Sequence, residues 1–311
     1  MRHNWENKRV ALLYGGQDSE REVSLHTGAA FRASLERLGV EILDLDFDAQ
    51  AVAKLAESSV DAALIALHGR IGEGGPVQGL LECLNIPYTG SGVLGSSLAI
   101  DKSAAKRALE HAGVATPKGF EVRSSADPRL ADVRHAVVVK PPREGSSVGI
   151  SIVKDPAELR EAVELALQYD DVALVEDFVQ ARELSVGLFD GEILGVMEIA
   201  PASGVYDYEA KYLRNDTQYL LPAPLNEHQR LAVEALARAA WDAIGCRGVG
   251  RVDVLLAEDD SAWVLELNTV PGMTPTSIVP KMALAMGWTF DELVVRMLDA
   301  ARTDRSQGVK A

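Results

Sequence analysis

Toward the end of the chain, two apolar runs each carry a pair of polar groups two residues apart. Arg251 and Asp253 lie within Val249–Leu256, and Glu266 and Asn268 sit at the end of the run 262–267. Residues two apart on a strand face the same side. If the runs pair across the acidic turn 258–260, all four groups converge. Asp253, Glu266 and Asn268 then offer hard oxygens suited to Mg²⁺, which prefers carboxylates, water and phosphate oxygens. Two edge strands with solvated faces would share this spacing. The irregular stretch that follows, Asn268-Thr269-Val270-Pro271-Gly272-Met273-Thr274, weighs against them because it is suited to presenting backbone N–H groups.

Two further segments could handle phosphate and nucleotide. Lys140 closes the apolar strand 137–140 and precedes Pro141-Pro142-Arg143-Glu144-Gly145-Ser146-Ser147-Val148-Gly149. A lysine there can reach phosphates, and the loop's N–H groups and hydroxyls can fold over them. No G-x-x-x-x-G-K-[ST] loop is present, and on its own the segment reads equally as a surface hairpin. Glu176, in Leu174-Val175-Glu176-Asp177-Phe178-Val179, could accept from ribose hydroxyls beside Phe178. Taken alone, that segment favours a solvated strand-end glutamate.

Strands alternating with helices must hold these groups. A strand over 10–14 breaks at Gly15-Gly16 and leads to a helix over 22–38, which Gly39 stops. Strands follow at Glu41–Asp46 and 62–67, then a loop over 70–75 and a helix over 77–84 that Pro76 opens. This alternation implies a parallel sheet, and residues 1–90 read as a Rossmann-like lobe. Residues 91–97 read as a Gly/Ser-rich hinge before a helix over 102–112. Residues 91–180 read as a central α+β lobe of strand, Gly-rich loop, strand, amphipathic helix (156–167) and strand (174–178). Residues 181–311 read as a C-terminal lobe. It begins with a hairpin turning at Asp190-Gly191 and contains a helix over 228–244 and the pair 249–256 and 262–267. The unpatterned polar stretch 203–218 is long enough to be a functional loop. The tail 302–311 reads as frayed.

The 311 residues suffice for two or three packed lobes. Thirty-one basic against 46 acidic residues leave −15, which repels a phosphate backbone or an acidic membrane over most of the surface. A small anion held locally is compatible with that balance. Cys83 and Cys246 have no C-x-x-C spacing and read as buried free thiols of a reducing compartment. With no apolar leader before residue 10 and no run long enough to span a bilayer, the expected location is the cytoplasm.

The ordered set of motifs resembles the D-alanine–D-alanine ligases. It comprises Gly15-Gly16 with Ser19-Glu20-Arg21-Glu22-Val23-Ser24; His68-Gly69-Arg70 with Gly72-Glu73 and Gly75; and Pro87-Tyr88-Thr89-Gly90-Ser91-Gly92. Asp101-Lys102, the loop 143–149, Tyr206-Asp207-Tyr208-Glu209-Ala210-Lys211-Tyr212, Gly250-Arg251-Val252-Asp253, and Glu266-Leu267-Asn268 with Pro271-Gly272-Met273-Thr274 complete it. The resemblance runs from about residue 10 to 300 and implies an ATP-grasp fold, with α/β and α+β lobes. It implies ligation of two D-alanines through an acyl phosphate, for peptidoglycan synthesis, with ATP, two Mg²⁺ ions (or Mn²⁺) and a homodimer.

Carried over by position, the resemblance puts Lys102, Lys140 and Ser147 on the phosphates, and Glu176, Phe178, Val179 and Glu183 around adenine and ribose. Asp253, Glu266 and Asn268 take the metal. Glu20 accepts from the first D-alanine's ammonium and closes the site with Ser146 and Tyr212. His68 and Arg251 lie at the reacting carboxylate, Ser277 at the second D-alanine's carboxylate, and a Gly272 N–H joins Arg251 at the oxyanion. Lys211 and Tyr212 belong to a lid over 203–218. Asp177 departs from the pattern, where a lysine is usual. Without the resemblance, His68 reads as a hydrogen-bonded loop histidine. A related D-alanine–D-lactate ligase is the nearest alternative. The missing G-x-G-x-x-G after the first strand counts strongly against a nicotinamide dehydrogenase. A silent nucleotide-binding regulator is opposed by the intact set Lys140, Arg251, Asp253, Glu266 and Asn268.

Overall fold

The computed structural model describes residues 4–18, 20–145, 148–201 and 217–307. Among these residues the chain forms three sheets. The first is parallel, in the order β2-β1-β3, from β1 (Arg9–Tyr14), β2 (Glu41–Asp46) and β3 (Ala62–Ile65). Its connections are the helices α1 (Arg21–Arg37) and α2 (Ala49–Glu57). After β3 come α3 (Gly69–Glu73), α4 (Pro76–Leu84), α5 (Val93–Ile100) and α6 (Lys102–His111). The central strand β1 alternates between two cores. Val10 and Leu12 face one with Phe31 and Leu35 of α1, while Ala11 and Leu13 face the other with Leu55 and Leu81.

A four-stranded antiparallel sheet, order β4-β7-β5-β6, is built from β4 (Gly119–Val122), β5 (Val137–Lys140), β6 (Ser151–Val153) and β7 (Ala173–Asp177). It packs on α7 (Leu159–Ala166) through Leu159 and Val163. A five-stranded antiparallel sheet, order β10-β9-β8-β11-β12, takes β8 (Arg182–Phe189), β9 (Glu192–Ala200), β10 (Gln218–Leu220), β11 (Val249–Leu256) and β12 (Ala262–Asn268). The β8–β9 hairpin turns at Asp190 and Gly191, both at positive φ, the backbone that Asp-Gly favours. The apolar side of this sheet rests on α8 (Glu227–Ile244) through Val233, Ala237 and Trp241. A reciprocal Asn226–Gln229 capping box opens α8. The last helices, α9 (Ile278–Ala285) and α10 (Phe290–Asp299), return to the first sheet, where Val279, Met282, Leu293 and Val294 share a core with Val10 and Leu12.

Several local expectations change. The expected hinge 91–97 contains the first turns of α5, because Gly95 and Ser96 are small enough to bury against α8's end and Ser91. The expected loop 70–75 contains the single helical turns of α3. Helix α2 is opened by Asp48, which accepts from the Ala51 N–H, and buries Ala51 and Leu55, one turn apart. Neither it nor β4 is among the elements expected from the sequence. Cys83 is exposed, not buried, since α4 turns Val77, Gln78 and Leu81 inward; Cys246 is a half-buried free thiol that burial pushes up to about 12. The start of the expected frayed tail is tied down. Arg302 bridges to Tyr88, Thr303 is buried and the Asp304 N–H donates to Glu82. Residues 308–311 lie outside the described residues.

Leu293→Ala tests the union of the two chain ends in one core. Leu293 is fully buried, so this change should cost about 2–5 kcal/mol of unfolding free energy by urea titration. A loss below about 1 kcal/mol would show that α10 is not part of that core.

Candidate active site

The two polar pairs of the last hairpin meet as their spacing requires. Arg251 lies opposite Asn268, and Asp253 opposite Glu266. The register then slips, with Val254 opposite Val264, so Leu265 has no partner on β11. This bulge resets the side-chain alternation. Val264 and Leu267 point into the core over α8, whereas Leu265, Glu266 and Asn268 line cavities on the opposite side. On β11, Val252, Val254 and Leu256 enter the same core, leaving Arg251, Asp253 and Leu255 on the cavity side. Asp253 is buried; it accepts from the Ser185 hydroxyl at 2.6 Å and from Arg251 Nε at 2.8 Å. The Asn268 side-chain oxygen accepts the Val270 N–H at 3.1 Å, which fixes the amide and leaves that oxygen a second lone pair.

Two cavities adjoin along this face. The first, of about 380 Å³, lies between the four- and five-stranded sheets. Lys140 and Glu176 form its floor, and the segment 176–183, with Phe178, Val179 and Glu183, runs along one wall. Glu176 is not solvated but buried, and it is ion-paired with both Lys140 and Lys106, the latter at 2.8 Å. Burial alone would raise this carboxyl; the two ammonium groups outweigh it and hold it below the usual glutamate range. Arg182 clasps Glu198 with two bonds, at 2.9 and 2.7 Å, on the same wall. Asp177, where the resemblance leads to a lysine, pairs with His135 at 2.7 Å.

The second cavity, of about 320 Å³, is lined by Glu20, His68, Arg251, Asp253, Asn268, Gly272 and Ser277. Lys102, Glu144, Glu183 and Glu266 line both, so the cavities form one continuous site. Lys102, in the first turn of α6, donates from Nζ to the Glu144 carbonyl at 2.9 Å and lies 3.3 Å from Glu266. A Cβ on Gly145 would come within 2.7 Å of the Glu20 carboxylate, which would have to shift to admit it. His68 is buried. Its Nδ1 lies 3.2 Å from Glu73, which also accepts the Gly69 N–H, and its Nε2 lies 3.4 Å from the Thr27 hydroxyl. Thr27 in turn accepts the Met273 N–H at 3.4 Å. These bonds are all satisfied when Nδ1 carries the imidazole proton, and they tie α1 and the His68 loop to the turn at Gly272. Ser277 caps α9 and accepts the Thr274 N–H at 3.1 Å.

Every expected site residue among the described ones therefore lines one or both cavities. Ser146, Ser147, Lys211 and Tyr212, and the expected lid apart from its last residues, lie outside the described residues. Lys106, Thr27 and Ser185 were missed, and Glu73, present in the His68 motif, was given no role. The one signal for Lys106 in the sequence is its place one turn after Lys102, on the same face. Ser185 is recognisable only through strand register, since it lies opposite Asp253.

Comparison with known proteins agrees with this geometry. Residues 46–91 match the family model for the D-ala D-ala ligase N-terminus, and residues 109–299 the model for the D-ala D-ala ligase C-terminus. A D-alanine–D-alanine ligase of Syntrophotalea carbinolica is 48% identical over 96% of this chain and 98% of its own. The crystal structure of the Bacillus anthracis D-alanine–D-alanine ligase complexed with ATP superposes with a TM-score of 0.83 at 31% identity, covering 94% of this chain and 97% of that one. The VanG D-Ala:D-Ser ligase of Enterococcus faecalis gives 0.83 at 25% identity, covering 95% and 99%. The hairpin donors, the cleft between two antiparallel sheets and these matches agree: the chain belongs to the D-alanine–D-alanine ligase family and has its ATP-grasp fold.

Proposed function

We propose that this protein joins two D-alanines into D-alanyl-D-alanine, converting ATP to ADP and phosphate, as a cytoplasmic step toward peptidoglycan. The observation that carries this reading is the continuity of the two cavities at Lys102, Glu183 and Glu266, with Arg251 and Asp253 beside the junction. A nucleotide in the first cavity would present its terminal phosphate where the second cavity holds a small acid. Among the described residues no helix is long and apolar enough to cross a membrane. A homodimer is the expected assembly.

The residues divide the work by charge. Glu176 to Glu183 would hold adenine and ribose, and Lys140 and Lys102 would hold phosphate oxygens. Asp253, Glu266 and Asn268 fit Mg²⁺ by their donor chemistry, two carboxylates and an amide oxygen. When bound, the metal neutralises charge on the phosphates. Glu20 would take the first D-alanine's ammonium, which orients its carboxylate toward the terminal phosphate. Carboxylate attack there releases ADP and leaves an acyl phosphate. The amine of the second D-alanine, its carboxylate near Ser277, then attacks the acyl carbon and expels phosphate. Arg251 and the Gly272 N–H would stabilise the tetrahedral oxyanion, each such donor contributing roughly 3–4 kcal/mol. Once Arg251 turns to that oxygen, Asp253 keeps its hydroxyl bond from Ser185.

Phosphate release by the purified protein should require D-alanine and Mg²⁺ together, with L-alanine silent. Equal ATP turnover with and without D-alanine would remove the ligase reading. Mass analysis of the product with D-lactate or D-serine added separates the dipeptide reading from its neighbours.

Glu266→Gln and Lys140→Met should each lower kcat by about 10²-fold or more while leaving the unfolding transition cooperative, because both groups act on charge that grows in the transition state. Activity within about threefold of the parent in either variant would place the reacting phosphate elsewhere.

A further inference from the structure

Lys106 is a buried lysine for which the proposed mechanism has no use. It sits one turn after Lys102 on α6 and is 6% exposed. Its ammonium lies 2.8 Å from Glu176 Oε2 and donates to the Thr116 hydroxyl at 3.0 Å. It is absent from the lining of either cavity, so it does not touch what they hold. Glu176 does line the first cavity, and its other oxygen pairs with Lys140. A buried charge persists only when it is matched, yet here two ammonium groups share one carboxylate. The three together carry one positive charge in excess, at the floor of the cavity that takes the phosphates.

We propose that Lys106 is a positioning residue of the nucleotide site: by engaging Glu176 from behind the cavity, it leaves the charge of Lys140 available to phosphate oxygens. Without Lys106, Glu176 and Lys140 would form a closed neutral pair. The Lys140 ammonium would then have to leave that pair whenever phosphate bound. Burial lowers the pKa of Lys106 itself, while the neighbouring Glu176 works against that and favours the charged form. The placement rests on the reading of the first cavity as a nucleotide site. It also predicts an effect on phosphates with little effect on the nucleoside.

The test compares ADP with adenosine binding in the full-length protein by calorimetric competition. In Lys106→Met, ADP should weaken by about tenfold, while adenosine stays within about twofold. The KM for ATP should rise by a similar factor of about ten, with the KM for D-alanine held within about twofold. Lys106→Arg keeps the charge and should recover ADP affinity to within about threefold. In a Glu176→Gln background no anion is left to share, so the ADP penalty of Lys106→Met should fall below about threefold. Lys106→Gln provides a second neutral variant should the methionine not fold. Unchanged ADP affinity in the neutral variants, or equal weakening of ADP and adenosine, would overturn the proposal. A parent protein that binds ADP but shows no D-alanine-dependent turnover would count against the ligase reading alone.

Discussion

A protein with a formal charge of −15 that takes up a polyphosphate must reverse its own field inside one cleft. That constraint explains much of the site. Lys102, Lys106, Lys140 and Arg251 are withdrawn from solvent, and each is held by a carboxylate of the same cleft: Glu266, Glu176 for two of them, and Asp253. Such pairs add little net stability, because desolvation offsets much of their attraction. Their value is placement. The cations are in position before a ligand arrives, and the anions that hold them are of the type that also serves a metal.

Three segments distant in sequence must therefore agree in space. The loop at Glu20 is held by Gly15 donating to Ser24, which in turn donates to the Ala66 carbonyl. The His68 loop is bonded to Thr27, and Thr27 to Met273, which ties the parallel sheet to the turn after β12. The return of α9 and α10 onto that sheet reinforces this with apolar burial. The four-stranded sheet reaches the framework through polar contacts, among them Arg70 of α3 to Glu144 at 2.8 Å and Lys102 to the Glu144 carbonyl. Apolar packing unites the first sheet with α9 and α10, and polar contacts bring the four-stranded sheet to them.

Much of this was legible before any coordinates. The spacing of Arg251 and Asp253, and of Glu266 and Asn268, placed each pair on one face, and Asp190-Gly191 marked the hairpin. The parallel first sheet followed from alternation. Family resemblance supplied what spacing could not, namely that segments 200 residues apart share a cavity. The failures have physical causes. Gly and Ser in 91–97 suggested a hinge because small residues serve both flexible chain and close helix packing, and only the neighbouring helix decides between them. Lys106 drew no reading at all, because helix position alone does not reveal a buried carboxylate on another sheet. Glu176 looked solvated for the same reason.

The unpaired Leu265 gives the first cavity a wall residue that the pairing of the hairpin does not require. Because β12 carries one extra residue at the slip, Leu265 and its neighbour Glu266 both face the cavity side, while the facing of Glu266 and Asn268 is set by their partners on β11. A change of side chain at 265 alters one wall of the first cavity. Loss of that residue would let the hairpin pair in unbroken register, with Val264 still opposite Val254 and Glu266 still opposite Asp253, so Glu266 and Asn268 would keep their side and only the Leu265 wall would go. At this one position the strand should tolerate a gap as readily as a change of letter: an aligned relative with one residue fewer here would keep its polar pairs facing one another and differ in the shape of the neighbouring cavity.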